Sequence, residues 1–174
     1  PPERDMDSMR TLTLGFLNCA EVDPLALVDV AADAGFDSVG LRITGRRITD
    51  DFRPIVGRAS ALAEIRDRAH SRGVRIANVS SYHFYPEVGR EHLEPLLDAT
   101  AAIGCEMVLV SCYDADHGRF TEKLAWLSDL AASRGIRLFL EFVPFSQAKS
   151  LPVALDIVKR VGKSNVGMIV DPLH

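Results

Sequence analysis

Five glycines, Gly35, Gly73, Gly104, Gly135 and Gly162, each follow a helical stretch and precede a strand, at intervals of 38, 31, 31 and 27 residues. That spacing is the length of one strand–helix unit, and its regular repetition restricts the chain to an alternating α/β architecture. The pattern predicts strands over 11–17, 38–43, 74–80, 107–112, 136–142 and 166–170. The helices between them fall over 24–34, 59–71, 91–103, 121–133 and 151–161. Asp23 is the expected cap of the first helix, with Pro24 at its first position, and Thr121 the expected cap of the fourth. A glycine just past each helix provides the left-handed turn that commonly ends one.

The strands are nearly continuous apolar runs, such as Met107-Val-Leu-Val110 and Leu138-Phe-Leu140, which predicts parallel strands buried on both faces. Two architectures compete, an open doubly wound sheet and a (β/α)8 TIM barrel. Three features favour the barrel. No glycine-rich phosphate loop follows the first strand, where Leu17-Asn-Cys-Ala-Glu21 stands. The repeats are even in length. Polar groups also recur at the C-terminal ends of the strands: Asn18, Arg42, Ser80 and His83, Ser111 and Tyr113, Glu141 and Asp171. A barrel builds its site from that whole rim, whereas an open sheet concentrates it at one switch point. Eight strands and roughly 250 residues make a full barrel. The six strands and five helices counted here predict an incomplete one, a fragment, over 11–174 as a single domain, with a polar tail over 1–10.

Composition narrows the function. The 174 residues are 47% hydrophobic and 25% charged with a net charge of −4, which argues against a general nucleic-acid or membrane surface. No apolar run approaches the ~20 residues of a membrane span. Cys19, Cys105 and Cys112 are an odd number with no CxxC pair, as expected in a reducing compartment, so the expected location is cytoplasmic. Each reads as a small core residue rather than a nucleophile. Of the basic group Arg42, Arg46 and Arg47, the last two read as a solvated loop.

The chemistry concentrates near the end of the sequence. Glu141 follows an apolar strand, where a carboxylate either pairs with an arginine or binds a metal. Asp171 repeats the pattern on the next strand, and adjacent strands roughly 4.8 Å apart let both reach one ion. Such oxygen ligands suit Mn²⁺ or Mg²⁺. His174, three residues on, can touch a substrate or support the ligands. Arg42, inside Val39-Gly-Leu-Arg-Ile43, must find a polar partner, either Glu141 across the rim or a hydroxyl or phosphate of a substrate. His83 reads equally as a loop residue or a substrate contact. Tyr82, Phe84, Tyr113, Phe142 and Phe145 read as core and loop aromatics with the makings of a pocket wall. Asp114-Ala-Asp-His117 resembles a metal cluster in composition only, and His70 and His92 read as surface.

Leu140-Glu-Phe-Val-Pro-Phe-Ser146, Leu151-Pro-Val-Ala-Leu-Asp-Ile-Val158 and Val166-Gly-Met-Ile-Val-Asp-Pro-Leu-His174 together resemble the xylose isomerase-like TIM-barrel superfamily. That group includes sugar phosphate isomerases and epimerases, inosose dehydratases and endonuclease IV. The resemblance implies a metal site for Mn²⁺, Mg²⁺, Co²⁺ or Zn²⁺ with Glu141 and Asp171 as two ligands, and further ligands on strands seven and eight. It implies that His174 contacts substrate. Arg42 and His83, by their own positions at strand ends, are further candidates for substrate binding. It also implies a small sugar or polyol substrate, and a homo-oligomer is compatible with it. The implied reaction is isomerisation or epimerisation, with Glu141 removing a proton beside a metal-bound carbonyl. A dehydratase-like lyase or a non-catalytic barrel are the alternatives. Gln147 stands where the sugar epimerases carry a second glutamate. With two ligands outside it, this chain alone is expected to show little turnover.

Overall fold

The structure, a computed structural model, describes residues 11–50 and 55–174. The tail expected over 1–10 lies outside the described residues. The elements run β1 (Thr13–Leu14), a 3₁₀ turn at Phe16–Cys19, α1 (Pro24–Asp33), β2 (Ser38–Leu41), α2 (Ala59–Ser71), β3 (Arg75–Phe84), α3 (Arg90–Ala102), β4 (Met107–Cys112), α4 (His117–Ala132), β5 (Arg137–Glu141), α5 (Leu151–Val161) and β6 (Val166–Ile169). All six strands are parallel, in the order β1-β2-β3-β4-β5-β6. Sequential order without a reversal is the winding of a barrel. A doubly wound sheet would change direction at a switch point, and none occurs among the described residues.

Burial follows from that winding. On β4 and β5, Val108, Val110, Leu138 and Leu140 are at most 1% exposed. Their register neighbours on the other face, Leu109 and Phe139, are only half-buried. The expectation of strands buried on both faces holds for β2, whose four residues are all buried, and is corrected for β4 and β5. The helices cover one face, and the other is the concave inner face of the sheet. Leu27, Ile65, Leu97 and Leu127 project from successive helices onto the covered face to form one continuous core.

Local sequence explains most element ends. The Asp23 carboxylate accepts a hydrogen bond from the Leu25 amide at 2.9 Å, with Pro24 opening α1. All five repeat glycines have φ between 64° and 77°, a conformation that L side chains rarely adopt. Thr121 is not a cap. Helix α4 begins four residues earlier, where Asp116 accepts from the Arg119 amide at 3.0 Å and the Thr121 hydroxyl donates back to the His117 carbonyl. Strand β3 runs four residues past its expected end. A register shift between Val79 and Tyr82 lets its polar last turn keep pairing with β4.

Candidate functional site

The C-terminal ends of β3, β4 and β5 bring their polar residues into line. His83 is the register partner of Ser111, Ser111 of Glu141, and Glu141 of Ile169. Side chains alternate along a strand, so Asp171, two residues past Ile169, follows on from this row. All but Ile169 line one cavity of about 330 Å³, together with His174. Ser80 and Asn78 lie deeper on the inner face, in a smaller adjoining cavity that Glu141 also borders.

Glu141, Asp171 and His174 each offer one atom, an oxygen or a ring nitrogen, and the three atoms lie within 4.8 Å of one another. Ligands at roughly 2.0–2.2 Å from a divalent ion stand some 3–4 Å apart, so small side-chain rotations would close this set around one ion. Two carboxylates also balance a charge of +2. The loop after β6 is held by its own hydrogen bonds. The Leu173 amide donates to Asp171 Oδ1 at 2.8 Å, and the His174 amide to the Asp171 carbonyl at 3.1 Å. The His174 ring meets Phe142 and Phe145 edge-on, at 6.5 and 6.4 Å, and its Nε2 lies 4.0 Å from Asp171 Oδ2. Burial pushes the Glu141 carboxyl above its ordinary range; His174 opposes that shift and the Asp171 charge adds to it. Two half-buried carboxylates beside one another are what a bound cation relieves.

The β2–β3 side of the cavity is basic and aromatic. Arg46 lines it, carried by the loop after β2, and the His83 backbone amide donates to the Arg46 carbonyl at 3.0 Å. His83 stacks on Tyr113 with ring centroids 4.2 Å apart. Burial, then the Arg46 and Arg47 charges, lower its pKa to about 4. His83 is therefore neutral at pH 7. A histidine depressed in the folded state binds fewer protons there than when unfolded. Its stabilisation is whole above its ordinary pKa of 6.5 and is lost as pH falls towards about 4. Discounted for partial exposure, that is about 1–2 kcal/mol. His83→Asn should therefore flatten the melting temperature between pH 7 and pH 4 relative to the parent; parallel curves would contradict this.

Arg46 was read as solvated, and that is corrected. The sequence signal that could have found it is Asp50. Its Oδ2 accepts from the Arg46 amide at 2.7 Å, the Arg47 amide at 3.2 Å and Arg42 Nη2 at 3.1 Å, folding the loop back over the sheet. Burial alone would raise the Asp50 carboxyl, but the Arg47 and Arg46 amides and the Arg42 charge outweigh it and hold it low. Arg42 is thus paired on its own loop, 3.1 Å from Asp50, rather than across the rim with Glu141, and it does not line the cavity.

The other candidates separate cleanly. Asp114 is fully buried and chelated by Arg119 Nε and Nη2 at 2.7 and 2.5 Å, Asp116 is a helix cap, and His117 Nε2 meets the Gln147 carbonyl at 3.1 Å. This trio builds a loop and holds no metal cluster. Gln147 is fixed from the other side, its amide donating to the Cys112 carbonyl at 2.7 Å. Tyr82, Phe84 and Phe142 are core, while Tyr113 and Phe145 line the cavity. Burial raises the Cys105 and Cys112 thiols to about 11 and about 12, unsuited to nucleophilic work. His70 is exposed and His92 half-buried, its Nδ1 accepting from the Gly89 amide.

Residues 28–174 match the family model of the xylose isomerase-like TIM barrel. The chain belongs to that family. A 55-residue segment, 30% of the chain, is 42% identical to an inosose isomerase of Bacillus velezensis and covers 20% of that protein. Among solved structures, an IolI protein with a bound zinc atom superposes with a TM-score of 0.76 at 18% identity, over 95% of this chain and 64% of that one. The probable 3-DHS dehydratase AsbF of Bacillus anthracis gives 0.71 at 14% identity, over 91% and 62%. D-psicose 3-epimerase of Clostridium cellulolyticum H10 with D-tagatose gives 0.69 at 15%, again over 91% and 62%. The chain thus spans less than two thirds of the length of each of these structures, and the likeness is one of fold. Among the described residues no helix is long and apolar enough to cross a membrane.

Proposed function

We propose that the protein is a divalent-metal-dependent isomerase or epimerase of a small sugar, sugar phosphate or polyol, acting by proton abstraction beside a carbonyl. The observation that carries this reading is the convergence of Glu141, Asp171 and His174 at the rim of one cavity. Glu141 and Asp171 would hold the ion, one of Mn²⁺, Mg²⁺, Co²⁺ or Zn²⁺, with ligands from elsewhere in the whole protein. Such an ion, when bound, supplies Lewis-acid polarisation of the substrate carbonyl. Glu141 is the base. Its half-buried carboxylate accepts the proton from the carbon beside the carbonyl. His174, held between Phe142 and Phe145, orients a substrate hydroxyl. Val143, Phe145 and Leu173 form the apolar part of the wall and limit water at the reacting carbon.

The test is solvent-deuterium exchange. The whole protein with Mn²⁺, incubated with ketohexoses and inososes in D₂O, should place one deuterium on the carbon next to the carbonyl, and a chelator should stop it. Net loss of water from a keto-polyol would replace this reading with a lyase. Neither exchange nor product across the panel would refute proton abstraction.

A further inference from the structure

Among the described residues three buried side-chain polar atoms have no hydrogen-bond partner: Arg46 Nε, His83 Nδ1 and the Tyr85 hydroxyl. Two of them belong to residues lining the cavity that also holds Glu141, Asp171 and His174. A buried charged donor without an acceptor is costly, so its persistence at a cavity wall calls for a ligand. We propose that Arg46 and His83 form an anion subsite, and that the substrate carries a phosphate or carboxylate group at the end remote from the metal-binding carboxylates. This rests on the metal-dependent reading above and adds the charge of the substrate to it.

The arrangement supports it in three ways. First, no ion pair among the described residues neutralises Arg46. The nearby Asp50 takes the Arg46 backbone amide and the Arg42 guanidinium, and no carboxylate among the described residues pairs with the Arg46 guanidinium. Its guanidinium lies over the face of Phe16, 5.8 Å from the ring centroid, which positions a planar fork without satisfying its N–H groups. Arginine recognises phosphate and carboxylate through two parallel hydrogen bonds, so this group suits an anion. Second, the wall carries a positive field. After burial, the charges of Arg46 and Arg47 are what most depress the His83 pKa, and the neutral ring retains one N–H to donate. The Tyr113 stack fixes that ring. Third, the poles are separated. His83 is on β3 and Glu141 on β5, two strand spacings or roughly 9–10 Å apart. A small sugar bearing a terminal anion spans such a gap, with its carbonyl at the acidic pole and its charge at the basic one.

Calorimetric titration of the Mn²⁺-loaded protein tests this with D-fructose 6-phosphate against D-fructose, and D-gluconate against D-glucitol. One charged ligand is expected to bind about tenfold or more tighter than its neutral counterpart, as charge-assisted hydrogen bonds imply. Preference for the phosphorylated ligand assigns phosphate, and preference for gluconate assigns carboxylate. Arg46→Gln should reduce the preference to about twofold or less with Mn²⁺ uptake unchanged. Arg46→Lys, which keeps the charge but not the fork, should retain part of it and serves should the glutamine variant not fold. Equal binding of charged and neutral ligands, or equal weakening of both by Arg46→Gln, would overturn the subsite. Glu141→Gln separates the two readings, since it should remove Mn²⁺ uptake while the metal-free protein keeps its charge preference. Failure of the metal site alone leaves that preference standing, and failure of the subsite alone leaves Mn²⁺ uptake standing.

Discussion

Glu141→Gln is expected to lower kcat by about 10²–10⁴-fold, the usual range for removing a positioned general base, while the protein stays folded. The substitution keeps the shape of the side chain at the end of β5 and removes the proposed base, which is also a proposed anionic ligand. It also removes a cost. The folded carboxyl titrates above its ordinary value, chiefly because it is buried, with Asp171 adding to the shift. The folded state therefore holds the proton more tightly than the unfolded chain, and metal-free stability falls as pH rises through that window. In the glutamine variant this fall should be absent, so at pH 7 without metal it should melt at or above the parent temperature. Metal reverses the order. A ligand at a hundred times its Kd stabilises a folded protein by about 2.7 kcal/mol, and the parent should show such a rise with Mn²⁺ where the variant does not. A variant that still gains stability from Mn²⁺ and still turns over would remove Glu141 from the site.

Phe120→Ala should be among the most destabilising single changes, at about 3–5 kcal/mol, read as a fall of roughly 10 °C in melting temperature. Phe120 is fully buried on α4 and meets the fully buried Phe84 of β3 edge-on, with ring centroids 5.4 Å apart. Truncation leaves a cavity that a close-packed core fills only in part, and it removes an aromatic pair. The contact also joins α4 to the C-terminal end of β3, next to His83. Ligand affinity should therefore weaken along with stability, which calorimetry on the folded fraction can check. A loss below about 1 kcal/mol would mean that α4 is not held by this contact.

The rhythm of the fold was legible because it is written in local chemistry. Helices α2 and α5 and strand β4 match their expected bounds residue for residue. Periodic apolar positions and a glycine at each helix end act within one turn of chain. Where competing polar groups crowd together the reading slipped. In Asp114-Ala-Asp-His117 the second aspartate captures the Arg119 amide and starts α4 early, which no count of apolar residues would show. The polar end of β3 hid four residues of strand, because strand pairing to β4 past a register shift depends on the neighbour and not on the residues themselves.

The same division runs through the site. Glu141, Asp171 and His174 stood out because a carboxylate at the end of an apolar strand is conspicuous in one dimension, and a histidine three residues away is held near it by the chain. The opposite wall could not be read that way. Arg42 and Arg46 are equally basic and lie four residues apart. The one next to the apolar strand reads as a site residue and the one in the loop as solvated. In the structure Asp50 pairs with the Arg42 guanidinium and the Arg46 amide, and it is Arg46 that lines the cavity beside His83. Sequence alone determined the strand–helix repeat, the sequential winding that it favours and the grouping of Glu141, Asp171 and His174, since each depends on neighbours along the chain. Only the tertiary structure decided which arginine lines the cavity, because that depends on which side chain Asp50 reaches in space.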